Sequence, residues 1–147
     1  MGYDAAKKIK GKKRHAAVDT LGLMLGVAIT PASVQDRDQI APLLKEVRRL
    51  FPFLERAIAD SGYQGATTAA ALKKSARLPL EIVKRGDTKG FVVLPKRWIV
   101  ERTFGWLGRC RRLAKDFENL TRSHLAFVRL AMIRLMMRRI ARLRAAS

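Results

Sequence analysis

The hydrophobic period of this chain changes along its length, and that change narrows the folds open to it. "RHAAVDT" and "LMLGVAIT" are short apolar runs on either side of Leu21-Gly22. Runs of that length around a glycine-bearing turn predict two antiparallel strands. From Asp36 the period becomes helical. Ile40, Leu43, Leu44, Val47 and Leu50 recur at helical spacing, with Lys45, Arg48 and Arg49 off the stripe. Pro42 lies early in this segment, where proline is tolerated best, and Pro52 stops it. A hairpin followed by an amphipathic helix points to a mixed α/β layer.

The rest of the chain continues the alternation. "RAIADSGYQG" predicts a short buried strand, Ala57 to Ala59, that runs into a polar turn. The alanine-rich "ATTAAALKKSA" predicts a helix, and "LPLEIVKR" a strand. After the loop "GDTKG" and the short run "FVVLP", Pro95 opens a helix through about Leu113. A last helix is predicted over roughly residues 122–144. With 147 residues, 48% of them hydrophobic, the chain suits one domain with a real core.

Charge then sets the partner. The formal net charge is +19, and a surface so basic attracts polyanions, nucleic acid before anionic membranes. Residues 1–15 hold six Lys/Arg and one Asp, whereas residues 96–147 hold fourteen Lys/Arg and three Asp/Glu. The stretch between them is nearly balanced, so the two ends carry the attraction. The lone Cys110 cannot form an internal disulfide, which fits a reducing cytoplasm. The N-terminus has no apolar signal region, and the late apolar run from Leu125 to Met137 is broken by Arg129 and Arg134. His15 and His124 have no Cys or His at zinc-ligand spacing.

Two carboxylates stand out in these surroundings. Asp60 ends an apolar strand, where ligand-binding groups collect in open α/β sheets. An Asp before Ser-Gly also bonds its own turn, and the residues alone leave both readings open. Glu101 is the one carboxylate in "KRWIVERTFGWLGRCRRL". Ile99, Thr103, Trp106, Cys110 and Leu113 form the buried face of that predicted helix, while Arg97, Glu101, Gly105, Gly108 and Arg112 share another. Pairing of Glu101 with Arg97 explains the charge. It does not explain two glycines, each costing a helix about 1 kcal/mol relative to alanine. A carboxylate on an open, basic face suits a ligand of Mg²⁺ beside a phosphate backbone, because the metal cancels the repulsion between acid and phosphate.

"GYDAAKKIKGKKRHAAVDTLG", "ADSGYQG" and "LPKRWIVERTFGWLGRCRRLAKDFE" resemble the C-terminal catalytic portion of bacterial insertion-sequence transposases of the IS-five (IS-four-like) DDE group. The resemblance is collinear from residue 2 to about residue 140. It implies an RNase H-like fold, truncated at the N-terminus and lacking its first strand. It also implies metal-dependent DNA cleavage and strand transfer, with two Mg²⁺ held by two Asp and one Glu. Asp60 matches the second aspartate, Glu101 the glutamate, and Arg97 the arginine of the signature around that glutamate. Leu94 stands where the signature has tyrosine and Gly108 where it has lysine, with Arg109 next to it. The first aspartate has no matching position; Asp4 and Asp19 are nearby, and Asp19 is expected to end its strand at the hairpin.

So read, residues 1–147 are a single partial catalytic domain: a basic lead-in over 1–15, an RNase H-like core over 16–113 and a basic helical region over 114–147. Lys96, Arg97, Arg102, Arg109 and Arg112, with Lys12 and Lys13 of the lead-in, are the expected DNA-binding residues. The expected partners are the element's ends and target DNA, a second copy, and the product of an upstream frame. The expected setting is the bacterial cytoplasm, on the nucleoid. Alone, with two of three acids, the chain is expected to be inactive. The alternative is a non-catalytic basic nucleic-acid-binding protein.

Overall fold

In a computed structural model of the chain, residues 2–5, 8–83 and 97–146 are described. The first reversal is made at Gly22, whose φ of +78° is open to glycine and costly for other residues. A Cβ there would also meet Thr103 Oγ1 at 2.9 Å, so the turn and the packing of a later helix both demand glycine. Asp19 closes the same turn, as expected. Its Oδ1 accepts from the backbone N–H groups of Leu21 at 2.9 Å and Leu23 at 2.8 Å. Three antiparallel strands lie around it, β1 (Gly2–Asp4), β2 (Ile9–Val18) and β3 (Met24–Pro31), in that order across the sheet. His15 sits opposite Ala28. The basic lead-in is therefore not a free arm, since Lys10, Lys12, Lys13 and Arg14 belong to β2.

Helix α1 (Asp36–Leu50) buries Ile40, Leu43, Leu44 and Val47, as the stripe predicted. Asp36 and Asp38 in its first turn and Arg48 and Arg49 in its last complement the helix dipole. Pro42 falls in the second turn. At Gly26 of β3 a Cβ would lie 2.4 Å from Val47 Cγ2, so β3 and α1 approach closely. Strands β4 (Ala57–Asp60) and β5 (Leu80–Val83) are parallel, with α2 (Ala66–Ser75) as the crossover that parallel pairing requires.

Helix α3 (Arg97–Gly108) stops a turn short of the predicted end. Gly108 is a poor helix former, and the chain continues as a separate 3-10 turn over Arg111–Leu113. Helix α4 (Thr121–Ala145) completes the fold. The loop "GDTKG", the run "FVVLP" and Pro95 lie outside the described residues.

The core has two parts. Ile40, Leu44, Leu72, Ala76 and Leu78 join α1, α2 and the approach to β5, with Ala57 and Ala59 packed against them. Leu107, Leu113, Val128 and Met132 join α3 and α4, against Met24 and Val27 of β3. Helices thus cover both faces of β3. The predicted α/β layering is present, but the strands form two sheets, β1-β2-β3 and β4-β5. Among the described residues, β4 and the Lys12–Val18 part of β2 each have a strand partner on one side only.

Candidate active site

Asp60 is the last residue of β4, opposite Val83 of β5. Its Oδ1 accepts from the Gly62 backbone N–H at 3.0 Å, capping the 3-10 turn over Ser61–Tyr63. The turn-closing role is therefore real, and it uses one carboxylate oxygen. Tyr63, on that turn, is pushed up to about 12 by burial, with the negative charges of Asp36 and Asp60 adding to it. Glu101 lies on the exposed side of α3, two residues before the buried Thr103 and on the opposite face of the helix. Thr103 fixes the helix by donating to the Gly22 carbonyl at 2.7 Å.

Asp60 and Glu101, far apart in sequence, border one cavity of about 800 Å³. The run His15–Asp19 of β2 and its turn lines it too, as do all of β4 and Ile99 and Phe104 of α3. The cavity is mostly apolar, with Asp19, Asp60 and Glu101 among its few charged groups. Asp4 lies elsewhere, paired with Lys13 at 3.2 Å. Carboxylate oxygens are the right donors for Mg²⁺. Among the described residues, however, no three His, Cys, Asp or Glu side chains come together in a way that could hold a metal ion. The residues present do not by themselves complete the metal site that the resemblance implies.

The expected DNA-binding cations divide. Lys12 is a correction: its side chain is only 3% exposed and pairs with Asp116 at 3.1 Å, because β2 runs beneath the segment before α4. Arg102 is another. Its guanidinium lies between Trp98 and Trp106, 4.4 and 4.8 Å from the ring centroids, and donates to the Leu21 carbonyl at 2.8 Å. It fastens α3 to the hairpin turn, and Arg139 also stacks on Trp106, at 4.6 Å. Lys13 pairs with Asp4 and Asp36 and donates to the Val34 carbonyl at 3.0 Å. Arg109 is exposed, as is Arg112, which pairs with Glu118 at 2.5 Å. Lys96 and the side chain of Arg97 lie outside the described residues. At Gly105 and Gly108 an added Cβ would meet nothing within 4 Å, so that face of α3 is open as expected.

One polar cluster went unread in the sequence. Buried His124 accepts at Nε2 from Arg14 Nε at 2.8 Å, and its Nδ1 donates to Asp116 Oδ1 at 3.1 Å. Arg14 also donates to the Leu113 carbonyl at 2.8 Å. Burial, then the charge of Arg14, lowers the His124 pKa, so the ring is held neutral. A lone histidine near a helix start gave no hint of partners on a strand 110 residues away.

A mixed α/β body with two carboxylates on one cleft, in a chain of net charge +19, suits a protein that works on a phosphate backbone. Residues 1–136 match the transposase DDE domain family, and the chain belongs to that family. It is 34% identical over 127 residues to a Burkholderia cepacia protein named as a transposase for insertion sequence element IS402. That match takes in 82% of this chain and 60% of the relative, so the chain spans about three fifths of that relative's length. A Brucella ovis protein named as a transposase for insertion sequence element IS6501 is 29% identical over 120 residues, 81% of this chain and 92% of the relative. No solved structure matches. Among the described residues no helix is long and apolar enough to cross a membrane.

Proposed function

We propose that this chain is the C-terminal catalytic portion of an insertion-sequence transposase of the IS-five group, RNase H-like in fold, acting on DNA through Asp60 and Glu101. The observation that carries this reading is that these two residues, picked from separate motifs, border one cleft. Asp19 borders the same cleft but is engaged in its own turn, so holding Mg²⁺ beside Asp60 and Glu101 requires a further carboxylate. The cleft is bordered by the His15–Val18 part of β2 and by β4, and both lack a strand partner on one side among the described residues. An extended segment between them would pair both edges and carry its own acid to Asp60 and Glu101. That segment is proposed to come from upstream sequence, in the same chain or as the product of an upstream frame. The complete protein would cleave DNA and transfer strands with Mg²⁺, in the bacterial cytoplasm and on the nucleoid. Its partners are the element's ends, target DNA and a second copy.

The test is a Mg²⁺-dependent cleavage and strand-transfer assay on duplexes bearing the element's terminal repeats. The 147-residue chain should be inactive, and its fusion to the upstream-encoded segment active. In the fusion, Asp60→Asn and Glu101→Gln should each abolish turnover without changing the circular dichroism spectrum. Robust activity of the shorter chain would refute the need for a further strand. Full activity of either variant would refute the site. The net charge of +19 favours a second reading, a non-catalytic nucleic-acid binder, under which both substitutions leave binding and every phenotype unchanged.

A further inference from the structure

Helix α4 is apolar on two opposite sides. Val128 and Met132 are buried against α3 and β3. The other side carries Leu130, Ile133, Met137 and Ile140, each 50–64% exposed. They are spaced three, four and three residues apart, the spacing of a coiled-coil seam. At 3.6 residues per turn they fall within an arc of about 80°, pointing away from Val128 and Met132. Arg129 flanks the seam on one side and Arg134 and Arg138 on the other. The helix contains seven arginines and no Asp or Glu. None of it lines the cleft that holds Asp60 and Glu101.

Four large apolar side chains in register against water form a patch that calls for cover. DNA does not supply it, since phosphates engage the arginines and leave the seam wet. A second α4 does not supply it either, since arginines would face arginines with no carboxylate between them. We infer that this face of α4 docks an amphipathic helix of a partner, with a leucine- or isoleucine-type seam flanked by Glu and Asp. The partner's seam covers Leu130, Ile133, Met137 and Ile140, and its acids meet Arg129, Arg134 and Arg138. This surface is separate from the proposed chemistry and stands if that reading fails.

Fluorescence anisotropy with a labelled synthetic peptide tests it, at about 0.15 M salt to screen long-range attraction. The probe has four heptads with Leu at the seam and Glu at the flanks, and its own charge keeps it monomeric. It should bind the 147-residue chain saturably. The double variant Ile133→Lys, Met137→Lys should weaken binding at least about tenfold, and so should Arg134→Glu with Arg138→Glu. Both pairs are on the surface, and unchanged circular dichroism confirms folding. A peptide of equal charge with Ser at the seam should bind at least about tenfold more weakly than the Leu peptide. Equal binding of the two peptides would overturn the inference, because charge alone would then account for it. Failure of the Leu peptide to bind would also overturn it. If the chain then sediments as a dimer that the seam variant dissociates, the occupant is a second copy. If the seam variant instead loses binding to phosphatidylserine vesicles, the occupant is a lipid surface.

Discussion

The contacts of His124 make a pH prediction. Its Nε2 accepts from Arg14, which a protonated ring cannot do. The folded protein thus holds the ring neutral, with a pKa below the ordinary 6.5, through burial first and Arg14 next, while Asp116 opposes them. The unfolded chain takes up the proton first. Stability should be fully present above pH 6.5 and fall as the pH drops through that value. His15 acts in the same direction, its pKa lowered mainly by burial and then by Lys13, against the pull of Asp36. Urea unfolding midpoints across pH 5 to 8 measure the effect. His124→Gln should remove at most about 1.4 kcal/mol per pH unit of the slope, leaving the His15 part. A second prediction separates the cations. Lys12→Ala should cost about 1–3 kcal/mol of stability, since it strips Asp116 of a partner. Arg109→Ala should leave stability within about 0.5 kcal/mol and lower the salt slope of DNA binding by about one. An equal loss of stability in the two variants would refute the division. Both lysine and arginine are cations in a basic run, so their sequence neighbours do not reveal which one is folded inward.

At the scale of elements, α1 was legible because a helical stripe and a proline stop agree, and the hairpin because Gly22 must adopt a positive φ. The end of α3 was not, because Leu113 continues the apolar period through Gly108 although the helix does not. Trp106 was placed on the core face, and it is instead half-buried against two guanidinium groups, a contact that helical phase alone does not encode. The open face of α3 did follow from sequence. Gly105→Ala tests what that openness is for. With nothing within 4 Å of the added Cβ, the substitution should raise stability by about 0.5–1 kcal/mol in thermal or urea unfolding. Duplex DNA should nevertheless bind more weakly, because the methyl group keeps the backbone of α3 from the phosphate chain. Unchanged affinity would make Gly105 a neutral surface position.

At the scale of the whole molecule, the two carboxylates singled out from sequence border one cleft, but the arrangement of strands around them was not legible. Pattern reading predicts that a strand exists and leaves open which edge it pairs, since both edges of β2 carry the same residues. Among the described residues, two strand edges that border one apolar cleft lack a partner, that of β2 over His15–Val18 and that of β4 over Ala57–Asp60. In an antiparallel strand, alternate N–H groups point to opposite neighbours. Of the β2 amides between His15 and Val18, those not turned to β3 therefore point to the edge that borders the cleft. Native-state hydrogen exchange reads the two sets apart. In the isolated chain the β3-facing amides should be protected and the cleft-facing ones should exchange quickly, as should the amides of β4 that point away from β5. When the upstream segment is fused to the chain, both fast sets should become protected together, because one inserted strand pairs with both edges at once. Protection of the cleft-facing amides in the isolated chain would mean that the edges are already satisfied, and the strand-insertion reading would fail. Protection of the β2 set alone would place the added segment on the outer sheet, away from Asp60.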